Sequence, residues 1–101
     1  MALKEPPIKL LALMEKQYNQ LLQIRLLRDD GGQPAEIADK CGINRYFIGK
    51  YMTRASRYSS KALRAIFERT VQTDEDIKMG RISDRLGVET LILSLMGPNS
   101  D

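Results

Sequence analysis

A chain of 101 residues, 43% apolar and 29% charged with a net charge of +3, suits one small globular domain and is too apolar for a disordered segment. It contains no histidine, which removes imidazole bases and imidazole metal ligands; its one cysteine, Cys41, excludes an intrachain disulfide and fits a reducing, cytoplasmic setting. The longest apolar run, "LLALM" at 10–14, is far below the roughly 20 residues of a membrane span, and Lys9 interrupts any signal-like core near the start.

Apolar residues recur at helical spacing throughout, and strand signals are nearly absent. Pro6-Pro7 open a first helix, since proline is tolerated in a first turn where its missing N–H costs nothing. Leu11, Met14, Tyr18, Leu21 and Leu22 form one stripe on it, and Leu10, Leu13, Ile24 and Leu27 a second. A helix apolar on two faces belongs at the centre of a bundle. Gly31-Gly32 end it, and Pro34 opens a short second helix, "PAEIADKC", that stops at Gly42. Asn44 is expected to cap a third helix running to about Arg57, and Ser59-Ser60 to start a longer fourth. Leu63, Ile66, Phe67, Thr70, Val71 and Ile77 share one side of that fourth helix, and Gly80 closes it. Ser83 caps a fifth, whose apolar face is read as Leu86, Leu91, Ile92, Leu95 and Met96. The expectation is an all-α single domain over 1–101, with an ordered core at 6–96: a five-helix bundle containing a helix-turn-helix-like pair.

That pair, "EIADKCGINRYFIGKYM" at 36–52, raises the question of function. Ala38 permits close approach, Gly42 makes the turn, and Ile37, Ile43, Ile48 and Tyr51 supply apolar contacts. Packing alone produces such a pattern. A DNA reader also needs adaptable polar side chains at the start of the second helix, where this chain carries Tyr46 and Phe47. The residues leave a DNA-binding transcription regulator and a structural helix pair both open.

From Lys40 to Arg64 there are seven basic residues and no acidic one. Arg45, Lys50, Arg54, Arg57, Lys61 and Arg64 form a candidate face for an acidic partner or for phosphate, although a solvated basic surface satisfies the same pattern. Asp74 falls on the apolar side of the fourth helix, where an unpaired carboxylate is costly. Arg25, continuing the Leu11–Leu22 stripe, is its expected partner, with Lys78 at i+4 the alternative and a marginal, exposed Asp74 the simpler reading. Cys41 reads as a small apolar residue beside the turn. No catalytic residue, cofactor site or metal site is nominated.

Three stretches carry a family resemblance. "PPIKLLALMEKQYNQLLQIRLL" fits an "LLxxxxxQxxxLLQ" run, and "EIADKCGI" fits an "EIAxxxGI" turn followed by a docking helix. "DxxIKxG" at Asp74, Ile77, Lys78 and Gly80, followed by "LGVETLILSL", is the most specific part. In this order and spacing, over residues 6–96, the chain resembles the C-terminal domain of the delta subunit of bacterial DNA polymerase III. The resemblance implies a non-catalytic oligomerisation domain of a clamp-loader subunit, joining the C-terminal domains of other loader subunits in a collar. It implies two further domains upstream, so the chain is expected to be a C-terminal fragment. Contact with the sliding clamp belongs to the absent N-terminal domain, and DNA contact is at most non-specific.

Overall fold

The computed structural model describes residues 6–96. Five helices account for the regular structure: α1 (Pro7–Asp29), α2 (Pro34–Cys41), α3 (Ile48–Ser56), α4 (Ser60–Lys78) and α5 (Asp84–Met96). Among the described residues there is no strand, and no helix is long and apolar enough to cross a membrane.

Side chains set most helix starts. The Ser59 hydroxyl accepts from the Ala62 N–H at 3.0 Å and the Ser83 hydroxyl from the Leu86 N–H at 3.2 Å, so α4 and α5 begin with one orphan donor satisfied. At α2 the Glu36 carboxylate reaches back to the Gln33 N–H at 3.1 Å. The start of α3 differs from the sequence reading. Asn44 Oδ1 accepts from the Tyr46 N–H at 2.8 Å, and the Phe47 N–H bonds the Asn44 carbonyl at 2.9 Å. Asn44 therefore organises a separate turn over 45–47, and α3 begins only at Ile48.

The chain divides into two compact units, one of residues 17–65 and one of residues up to 16 together with those from 66 onward. Both boundaries fall inside helices, α1 and α4. In the first unit Leu21, Leu22, Ile24, Ile37, Ala38, Ile48, Ala55 and Leu63 form the core, flanked by Tyr18, Ile43, Tyr51 and Tyr58. Cys41 packs against this core, and burial pushes its thiol above the ordinary value, which disfavours the thiolate that reactivity requires. In the second unit Leu11, Val88 and Leu91 are buried, with Leu10, Met14, Ile77, Ile92 and Leu95 packed around them. Gly87 sets the approach of α5 to α4, since a Cβ there would stand 3.1 Å from Ile77 Cδ1 and 3.3 Å from Ile82 Cγ2. Thr70 is fully buried but bonds the Ile66 carbonyl at 2.8 Å, so its hydroxyl is not left unsatisfied.

Asp74 and Arg25, expected as a pair, each have a partner within their own helix. Asp74 Oδ2 meets Lys78 Nζ at 2.8 Å, one turn further along α4, while Arg25 Nε meets Asp29 Oδ1 at 3.2 Å on α1. In each case the i+4 residue of the same helix supplies the partner at no cost in tertiary geometry. Asp74 is largely covered, its side chain 18% exposed, while Lys78 extends into solvent. Leu13, placed in the second stripe of α1, is half exposed, whereas Ile24 of the same stripe is fully buried.

Candidate interaction surface

The turn between α2 and α3 positions the first group of residues. Gly42 adopts φ +69°, a left-handed conformation that side chains with a Cβ resist, and the Ile43 N–H then closes on the Ala38 carbonyl at 2.9 Å. The reversal lets Arg45 face back toward α2. Its Nη2 bonds Asp39 Oδ2 at 2.7 Å and its Nε bonds Oδ1 at 3.1 Å, a bidentate pair on the surface. Hydrogen bonding from Arg45 holds the Asp39 carboxyl below its ordinary value, and the same bond raises Arg45. Arg45 is thus paired within the chain, although both side chains of the pair stay more than half exposed.

Tyr46 and Phe47 occupy the tip of the turn. Their rings meet edge to face at 5.0 Å between centroids, and Tyr46 is 85% exposed. Beyond them Lys50, Arg54 and Arg57 follow at spacings of four and three along α3. With Gly49 and Thr53 they line a shallow groove of about 510 Å³ that holds no acidic and no apolar side chain. Lys61 and Arg64 are exposed on α4, past the break at 57–59, and do not line it. The structure therefore gathers three of the six candidate basic residues into one row, ties a fourth to Asp39, and sets the last two on a separate helix.

A second surface was not anticipated from the sequence. α5 carries apolar residues on its exposed side as well as its buried one: Val88 and Leu91 are 0% and 2% exposed, whereas Leu86, Leu93 and Met96, interspersed with Thr90 and Ser94, are 55%, 66% and 69% exposed. Leu86 and Leu93, seven residues apart, share one face two turns long. Helical periodicity assigned Leu86 and Met96 to the core; the seven-residue spacing of Leu86 and Leu93 was the available signal. A smaller apolar groove of about 300 Å³ lies along α1, lined by Lys9, Leu10, Ala12, Leu13 and Lys16. Among the described residues no group of three or more cysteine, aspartate or glutamate side chains is arranged to hold a metal ion.

Comparison with known proteins agrees with this helical, surface-dominated picture. The family model for the DNA polymerase III delta subunit, C-terminal domain, matches residues 1–95. The DNA polymerase III subunit delta of Bacillus subtilis (strain 168) is 28% identical over 95 residues, covering 94% of this chain and 27% of that protein. The solved structure of the Bacillus subtilis DNA clamp loader delta protein matches with a TM-score of 0.82 at 28% identity, covering 91% of this chain and 27% of that one. The chain thus spans about a quarter of the length of these relatives. Matched along nearly its whole length by that model, the chain belongs to the family formed by the C-terminal domains of DNA polymerase III delta subunits.

Proposed function

We propose that this chain is the non-catalytic assembly module of a clamp-loader delta subunit, joining the C-terminal domains of the other loader subunits in a collar. One observation carries the reading: the exposed face of α5, where Leu86 and Leu93 stand two turns apart with Thr90 between them and Met96 lies one turn beyond. A helix in a small monomeric domain normally turns its second face to solvent with polar residues, and exposed apolar surface of this kind marks protein contacts. The likeness to a clamp loader delta protein supports partners among clamp-loader subunits, and the span of the family match over residues 1–95 supports treating both compact units as one domain. Contact with the sliding clamp is assigned to parts of the longer subunit outside this chain. The basic row on α3 is left available for acidic surfaces.

Size-exclusion chromatography of this chain mixed with the C-terminal domains of its host's other loader subunits tests the proposal. Co-elution as a heteromeric species at micromolar concentration supports it. Independent elution of every component contradicts it.

A further inference from the structure

We infer that the tip and outer face of α3, Tyr46 and Phe47 followed by Lys50, Arg54 and Arg57, form a binding site for single-stranded nucleic acid. The inference does not depend on the collar reading, because it uses a different surface.

Three features of the row fit such a strand. From Lys50 to just past the helix end at Arg57 the cations span about 10 Å at 1.5 Å per residue, long enough to meet more than one phosphate of a strand. Phe47 stands one turn before Lys50 on the same side of the helix, so an aromatic face lies at the end of the cationic row. Tyr46, braced edge-on against Phe47, leaves most of its ring open to stack on a base. A positively charged groove ending in exposed aromatic faces is what a strand with unstacked bases requires.

The same geometry disfavours two other occupants. A duplex read by a helix-turn-helix pair lays its backbone against the first helix, and here that helix presents Glu36 and Asp39, the latter held ionised beside Arg45. With Asp39 cancelling Arg45 and Glu36 cancelling Lys40, that side offers no net positive charge to a second strand's phosphates. An acidic protein segment would gain most of its affinity from an apolar anchor in a pocket, and the groove beside the cations contains none. The chemistry read is phosphate charge and base faces, which DNA and RNA share.

The test uses the 101-residue chain and fluorescence anisotropy with labelled oligo-dT and oligo-U of about twelve nucleotides, long enough to overlap the row. Both should bind within tenfold of each other. Three phosphate contacts to a single strand should weaken binding roughly 20-fold between 50 and 200 mM salt. K50Q/R54Q/R57Q should abolish most of that salt dependence. Y46A/F47A should keep the salt dependence and bind tenfold or more weakly, the stacking contribution being about 1–3 kcal/mol per base. Circular dichroism checks that both variants remain helical. Duplex binding as tight as single-strand binding, displacement by a polyglutamate peptide at equal charge concentration, or an unchanged Y46A/F47A affinity would each overturn the inference.

Discussion

Arg45 reaches back across the Gly42 turn and grips Asp39 through two guanidinium nitrogens, at 2.7 and 3.1 Å. Because Asp39 titrates lower in the folded chain, the pair favours folding above the ordinary carboxylate range, and that contribution is lost as the pH falls through the depressed folded value. Arg45→Gln should raise the Asp39 pKa toward its ordinary value, read by carboxyl-carbon NMR. Urea unfolding should show a stability gap between wild type and variant at neutral pH that closes below about pH 4. A gap that persists in acid would mean Arg45 stabilises the turn by packing instead.

Three glycines separate backbone strain, crowding and open space. Gly42→Ala forces a Cβ into the left-handed region and should cost about 1–2 kcal/mol. Gly87→Ala sets a methyl against Ile77 and Ile82; overpacking of about 1–3 kcal/mol should outweigh a helix-propensity gain of about 0.5–1. Gly49, helical and with open space where a Cβ would stand, should accept alanine with a gain of up to about 0.5–1 kcal/mol. Thermal or urea denaturation of the three variants gives the order directly, and a loss at Gly49 equal to that at Gly42 would contradict it.

Glu15 titrates above its ordinary value, mainly through burial and next through repulsion from Asp74, with Lys78 acting in the opposite direction. A raised carboxylate favours folding below its unfolded pKa, and that contribution is lost as the pH rises through the folded value. Asp74→Asn should therefore lower the Glu15 pKa and Lys78→Gln should raise it further. Opposite shifts in an NMR titration are expected; shifts of the same sign would remove the Asp74–Lys78 pair from the Glu15 environment.

Sequence-specific duplex binding should be absent. Arg45 is engaged with Asp39, and aromatic rings stand where polar base readers belong. Non-specific duplex association at low salt should vanish as salt rises. A protected footprint on a defined site at physiological salt would restore the regulator reading.

Much of the fold was legible because its punctuation is chemical. Proline at the starts of α1 and α2 acts through its fixed φ, glycine after α1, α2 and α4 through the left-handed φ it allows, and serine before α4 and α5 through a cap bond, all local effects that the sequence states outright. Asn44 misled because its side chain can accept an N–H in a free turn as readily as in a helix's first turn, and only the surrounding chain decides which. For the partner of Asp74 periodicity is silent in a related way: it assigns a residue to a face of its own helix but says nothing about what stands opposite. Lys78 was within reach by construction; Arg25 needed a tertiary contact. α5 hid its exposed face because Leu86 and Leu93 look no different from Leu91 and Leu95 until the packing shows which side is covered. In the candidate surface the row Lys50–Arg54–Arg57 was readable from spacing, whereas the loss of Arg45 to Asp39 depended on how the Gly42 turn closes.

Sedimentation velocity of the mixed C-terminal domains tests most directly whether the open face of α5 assembles this domain with its counterparts. Wild type should form a heteromeric species, while L86Q/L93Q, altered only at exposed positions, should keep its helical content and urea midpoint yet sediment alone. Assembly of the variant as readily as wild type, or a wild type that stays monomeric beside every candidate partner, would contradict that role of α5.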